Sequence, residues 1–121
     1  MHTNFQDLNC WKMCNQLKEL IRTEVLPSLP KEERYDLHSQ ILRSSRSTTA
    51  NIAEGWGRYH YKENIKFLYI SRGSVAEVLD HALEAKQCGY INQELLNSIR
   101  SHCEDCIRLI NGYISYLKKA L

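Results

Sequence analysis

Leu96-Asn97-Ser98-Ile99-Arg100-Ser101-His102-Cys103-Glu104-Asp105-Cys106-Ile107-Arg108-Leu109-Ile110-Asn111-Gly112-Tyr113-Ile114-Ser115-Tyr116-Leu117 is the stretch whose pattern decides the fold. Leu96, Ile99, Cys103, Cys106, Ile110, Tyr113 and Leu117 recur at alternating steps of three and four over about three heptads, the seam of a helix packed lengthwise on other helices. A helix cannot bury such a stripe by itself, so the pattern asks for a bundle. Upstream, Asn92 supplies an N-cap for this helix. Cys88-Gly89 supplies the stop of the helix before it, with Gly at a left-handed position.

Working towards the N-terminus, residues 62–87 carry Ile65, Leu68, Val75, Leu79, Ala82 and Leu83 on one stripe and Phe67, Ile70, Ser74 and Val78 on a second. Two apolar faces imply contact with more than one neighbour. Residues 31–56 read as an unusual helix, in which Leu37, Ile41 and Leu42 give way to Ser44-Ser45-Arg46-Ser47-Thr48-Thr49-Ala50, a run for which a Ser/Thr loop is the alternative. These residues have indifferent helix propensity, so tertiary packing must hold them, and their small side chains allow another backbone to come close. Pro30 suits the first turn, and Gly55 and Gly57 are expected to end the helix. Residues 5–25 repeat the pattern with Leu8, Trp11, Cys14, Leu17, Ile21 and Val25, and Pro27 and Pro30 are expected to stop this helix. Short connections force antiparallel neighbours. The expectation is an all-α, up-down-up-down antiparallel four-helix bundle occupying residues 1–121 as a single domain.

Composition agrees. The chain has 121 residues, 43% hydrophobic and 25% charged, with only 2 Pro and 5 Gly. A β-sandwich needs turn residues roughly every 8 to 12 positions, and they are missing. No apolar run approaches the ~20 residues of a membrane span, and Met1-His2-Thr3-Asn4 lacks export character. A cytoplasmic protein with five reduced Cys and no membrane partner is expected.

Catalytic constellations are absent from the sequence. Di-iron bundles use Glu-x-x-His on facing helices. Here Glu77 and His81 stand four apart with no matching pair, and no phosphate loop, nucleophile elbow or zincin motif occurs. The expectation is a protein that is not an enzyme and uses no cofactor. Cys103-Glu104-Asp105-Cys106, with Cys10 and Cys14, invites a four-thiolate zinc site. If facing residues of the first and fourth helices add to about 125, Cys106 lies roughly 8 and 14 Å from the levels of Cys14 and Cys10. The thiols then read as apolar core, with no metal.

Charge is informative by location. The formal net charge is +2. Residues 43–72 hold Arg43, Arg46, Arg58, Lys62, Lys66 and Arg72 against Glu54 and Glu63, a local balance of +4. Tyr59 and Tyr61 interleave with Arg58, His60 and Lys62, which suits phosphate contact and base stacking. These six cations are the candidate nucleic-acid-binding residues, and a solvated helix face is the alternative. Arg43, Ser47, Asn51, Glu54 and Arg58 share one face, with Glu54 able to pair with Arg58 at i,i+4. No second catalytic group accompanies Glu54, so its role reads as structural. Facing positions of the second and third helices add to about 119, which sets Arg72 about 10 Å from Glu54 along the axis.

Ala50-Asn51-Ile52-Ala53-Glu54-Gly55-Trp56-Gly57-Arg58 and Phe67-Leu68-Tyr69-Ile70-Ser71-Arg72-Gly73-Ser74, followed by Glu77, resemble the signatures of the four-helix-bundle family of ribosomal-RNA intervening-sequence proteins. Trp11, the Leu29–Leu37 segment and Gly89-Tyr90 extend the likeness over nearly the whole chain. Where the main branch reads Ser-Ile-Pro-Ala-Asn, this chain has Ser47-Thr48-Thr49-Ala50-Asn51. That departure, with His60-Tyr61-Lys62-Glu63-Asn64, is more similar to the accessory variability determinant (Avd) of diversity-generating retroelements. The resemblance makes Asn51, Glu54 and Gly55 a structural motif. It implies a homopentamer that binds RNA or DNA through a basic surface and assists a reverse transcriptase. The alternative is a structural or protein-interaction oligomer with no nucleic-acid role.

Overall fold

Four helices form in the computed structural model, which describes residues 4–121: α1 (Asn9–Leu20), α2 (Leu37–Gly57), α3 (Tyr61–Gln87) and α4 (Gln93–Lys119). Met1-His2-Thr3, and with it the reading of the N-terminus for export character, lies outside the described residues. In α4 the seam is buried at Leu96, Ile99, Cys103, Cys106, Ile110, Ile114 and Leu117. Ile114 takes the place expected of Tyr113, because a straight helix drifts about 20° per heptad against a 3.5-residue repeat. Asn92 caps α4 by accepting from the Leu95 amide at 2.8 Å, and Gly89 adopts φ 80° after α3.

The two ends of α1 follow from side-chain chemistry. A 3₁₀ turn, Phe5–Asp7, precedes it, and Phe5 packs edge-on against Trp11 and Trp56 at 5.6 and 6.2 Å between ring centroids. After Leu20 the helix widens to a π turn, Ile21–Val25, in which the Leu26 amide donates to the Ile21 carbonyl. The wide helix ends at Val25, as expected, just before Pro27. Pro27 sits in the first turn of a 3₁₀ segment, Leu26–Ser28, where a missing N–H costs nothing. The start of the second helix is later than expected, at Leu37. Pro30 instead precedes a separate turn, Lys31–Glu33. Glu33 explains the delay: its Oε1 accepts from the Leu37 amide at 3.3 Å and its Oε2 accepts from the Tyr90 hydroxyl at 2.8 Å. One carboxylate thereby caps α2 and fixes the α3–α4 connection.

The Ser/Thr run is helical, and Ser44, Ser45, Thr48 and Thr49 are buried. Each hydroxyl is satisfied three residues back in its own helix, Ser44 on Ile41, Ser45 on Leu42, Thr48 on Ser45 and Thr49 on Arg46. Polar atoms are thus buried with their hydrogen bonds intact. The gain is proximity. The Ser71 hydroxyl on α3 donates to the Thr48 carbonyl at 2.7 Å, and Ser47 and Ser74 hydroxyls meet at 2.8 Å. Asn51 completes this contact, its Nδ2 donating to both the carbonyl and the hydroxyl of Ser47.

Gly55 lies inside α2 and is buried, so it does not end the helix. A Cβ there would stand 2.7 Å from Asn64 Oδ1, 2.9 Å from Phe67 Cβ and 3.0 Å from the Asn64 carbonyl. Packing against α2 also absorbs most of the second stripe of α3. Ser74 and Val78 are buried within the subunit and Phe67 is half-buried, which leaves Ile70 facing outward at 50% exposure.

Two glycine substitutions separate these effects. Gly55→Ala should lower stability by roughly 1–2 kcal/mol, overpacking of about 1–3 kcal/mol outweighing the better helix propensity. Gly112→Ala, where nothing lies within 4 Å, should raise it by roughly 0.5–1 kcal/mol. Urea denaturation reads both, and a stabilised Gly55→Ala would contradict the close helix contact.

Candidate nucleic-acid interface

Arg43, Arg46, Arg58, Lys62, Lys66 and Arg72 do not form one surface. Arg43 is ion-paired with Glu77 at 2.5 Å, far from the α2–α3 turn. Arg72 crosses to α4 and donates to Asn111 Oδ1 at 2.7 Å, with its guanidinium 5.0 Å above the Tyr69 ring. Arg58 donates to Glu54 Oε2 at 2.9 Å, lies 3.7 Å from Glu63 and covers the Phe67 ring. Glu54 is therefore held at the surface by Arg58, one turn along the same helix. Arg46, Lys62 and Lys66 are exposed and make no ion pair among the described residues. Lys62 and Lys66 stand one turn apart on the outward face of α3.

The bundle adds cations that charge counting along the chain separates. Contacts Asn64–Tyr113 and Arg72–Asn111 show that facing residues of α3 and α4 add to about 180. Lys118 and Lys119, in the last turn of α4, therefore lie level with Lys62. Lys118 reaches over the Tyr69 ring at 5.7 Å. Antiparallel arithmetic applied to the third and fourth helices is the signal that finds them.

The same end of the bundle holds Trp56, Tyr59, Tyr61, Tyr113 and Tyr116. A three-residue turn joins α2 to α3, and within it Tyr59 adopts φ 74° with its side chain 92% exposed. A left-handed tyrosine costs about 1–2 kcal/mol relative to glycine. A strained, solvated ring at a helix end contributes little to folding, and such strain concentrates at functional positions. Beside the turn opens a cleft of about 410 Å³ lined by Trp56, Tyr61, Asn64, Tyr113 and Tyr116 among others. Tyr113 and Tyr116 stack on each other at 6.3 Å. Burial raises the Tyr113 phenol above its ordinary pKa, and the hydrogen bond from Asn64 Nδ2 at 3.3 Å pulls in the opposite direction.

The cysteines need one correction. Cys14 interacts with both Cys103 and Cys106 across the core, so the 8 Å offset expected between Cys14 and Cys106 is absent. Facing residues of α1 and α4 therefore add to about 120. Cys10, Cys14, Cys103 and Cys106 are all buried. Burial pushes the Cys10 and Cys103 thiols up to about 12, and the contact with Cys14 followed by burial raises Cys106 further. Among the described residues, no three His, Cys, Asp or Glu side chains gather where they could hold a metal ion.

Fold and site together define a class: a small antiparallel helical bundle with exposed lysines and a cleft of aromatic rings at one end. The chain belongs to the family of 23S rRNA-intervening sequence proteins, whose model matches residues 6–112. A similar solved structure is a protein of unknown function from the S23 ribosomal protein family of Bacteroides thetaiotaomicron VPI-5482. It is 23% identical, with a TM-score of 0.64 over 87% of this chain and 90% of that one, and it supports the fold. Comparison with curated proteins finds no match.

Thiol chemistry tests the core assignment. Native protein should react rapidly with Ellman's reagent at Cys88, the one exposed thiol, and at five thiols after denaturation. The Glu84 carboxylate, bonded by Cys88 Sγ at 3.3 Å, holds this thiol above its usual pKa. Glu84→Gln should therefore move its alkylation profile to lower pH. Rapid native labelling of two or more thiols would refute the buried placement.

Proposed function

We propose that this bundle binds single-stranded RNA through the end that carries Lys62, Lys66, Lys118 and Lys119. One observation carries the reading: four lysines from two helices lie at one end of the bundle, with no ion pair among the described residues, beside exposed aromatic rings. Free ammonium groups neutralise phosphates and release counterions, whereas Arg43 and Arg58, already paired with carboxylates, would first have to give up those partners. Aromatic rings next to a cationic track take unstacked bases with little regard to sequence. The family description, a protein of a ribosomal-RNA intervening sequence, favours RNA over DNA.

The active form in this reading is a homopentamer. Tyr69 at 40% exposure and Ile70 at 50% give the outward face of α3 a surface for a second copy, and five copies raise +2 to about +10. The partner in this reading is a reverse transcriptase, a step that rests on the resemblance of residues 47–51 and 60–64 to the accessory variability determinant. Light scattering should give about five times 14.2 kDa, and a stable monomer at micromolar concentration would sink the assembly.

Binding to a single-stranded RNA oligomer should fall with salt at a slope near −0.7 for each phosphate neutralised. Lys62→Ala with Lys66→Ala should weaken binding and flatten that slope by about 1.4 per bound subunit. Arg43→Ala should change it little. If the lysine pair can be removed without effect, this end of the bundle is a solvated surface and the reading fails.

A further inference from the structure

Arg22, Arg43, Arg58 and Arg108 each meet a carboxylate on a neighbouring turn or helix. Arg72 is held differently. Its Nη1 donates to Asn111 Oδ1 at 2.7 Å, and its guanidinium lies 5.0 Å from the centroid of the Tyr69 ring. Two neutral groups thus fix its direction and leave its charge intact, with no ion pair among the described residues. Lys118 comes to the same ring at 5.7 Å, again without a carboxylate partner among those residues. Like charges drawn to one ring repel, and an anion between them relieves that cost. The surroundings have the same character. Residues 64–76 of α3 and 106–119 of α4 hold Lys66, Arg72, Arg108, Lys118 and Lys119, and all 14 acidic residues of the chain lie elsewhere. The Arg72–Asn111 and Tyr69–Lys118 contacts join these two stretches into one edge of the bundle, free of Asp and Glu over about 18 Å.

We infer that Arg72 is a phosphate anchor, and that an RNA strand lies lengthwise along the α3–α4 edge from Lys62 and Lys66 past Tyr69 to Arg72. The inference rests on the RNA-binding reading for its ligand. It adds a second anchor away from the bundle end, a direction for the strand and a positioning residue, Asn111. Lys62, Lys66, Tyr69 and Arg72 follow one another at steps of four, three and three, so they share one face of α3. A guanidinium is a planar fork that grips two phosphate oxygens at once, whereas an ammonium is a point charge. The fork binds best when its plane is set in advance, and Asn111 and Tyr69 set it without consuming its charge. From Lys62 to Arg72 is about 15 Å along the helix, a span of about five nucleotides at roughly 3.4 Å each.

The test titrates a single-stranded RNA octamer, read by fluorescence anisotropy, into the intact protein, with urea denaturation of each variant beside it. Asn111→Asp is nearly isosteric and sets a carboxylate against the guanidinium. It should keep or raise the urea midpoint, weaken octamer binding about tenfold and flatten the salt slope by about 0.7, the share of one phosphate. An arginine that only ties α3 to α4 would gain from that ion pair and leave RNA binding unmoved. Arg72→Lys keeps the charge and loses the fork, so it should weaken binding about tenfold at an unchanged slope. Lys62→Ala with Lys66→Ala should add to Asn111→Asp in log affinity, with the number of octamers bound unchanged, because one strand meets both anchors. If the lysine pair weakens binding and the Asn111 and Arg72 variants do not, the inference fails and the RNA-binding end survives. If those two variants weaken binding and the lysine pair does not, the Arg72 anchor stands and the lysine-end reading fails. A change of mass by light scattering in Arg72→Lys would assign the guanidinium to a subunit contact and overturn the inference. A parent protein that binds no octamer at low salt would overturn both.

Discussion

Much of this structure depends on how closely α2 and α3 approach, and on the hydroxyl groups that permit it. An ordinary bundle separates its helices by the width of Leu and Ile side chains. Here Ser44 and Thr48 turn their hydroxyls back to their own helix and leave only small side chains at the contact, while Thr49 faces α1 and accepts from Lys18. Ser71 then reaches the Thr48 carbonyl, and Ser47, Ser74 and Asn51 form a small polar seam. Replacing any one by a larger apolar residue would both crowd the contact and orphan a partner.

The close approach also places the far end of α2 directly against the first turns of α3. Gly55 exists for Asn64 and Phe67, and Asn64 in turn positions Tyr113 of α4. The aromatic cleft is therefore built by packing constraints that run through three helices. Its lysines need no such support, since long solvated side chains keep their freedom whatever lies beneath them.

Fold was legible because it is written in period. The α4 seam, the Gly89 stop and the Asn92 cap are local signals, and each appears where spacing and cap chemistry place it. Facing positions of α2 and α3 fall near the expected level, with Ser71 opposite Thr48 and Arg72 directed to α4. The start of α2 was not legible, because Glu33 is fixed by Tyr90, 57 residues away. Gly55 was misread for a related reason: glycine at the end of a pattern signals a stop, and its real role is set by a neighbour that sequence does not name. The candidate site was half visible. Lys62 and Lys66 stood in the basic segment, while Lys118, Lys119, Tyr113 and Tyr116 belong to it only after the helices fold back.

The lysine end has a counterpart at the opposite pole. Residues 22–36 and 77–94 lie there, and they hold eight carboxylates against four cations. With helices of 27 residues, the two poles are separated by about 40 Å. The molecule is consequently an electric dipole along its long axis, although its net charge is only +2. A polyanion exerts a torque on such a body. Screening at physiological salt confines that torque to about the last 8 Å of approach, where it rotates the bundle end-on before contact. Orientation is then decided by charge separation, and the lysine end leads.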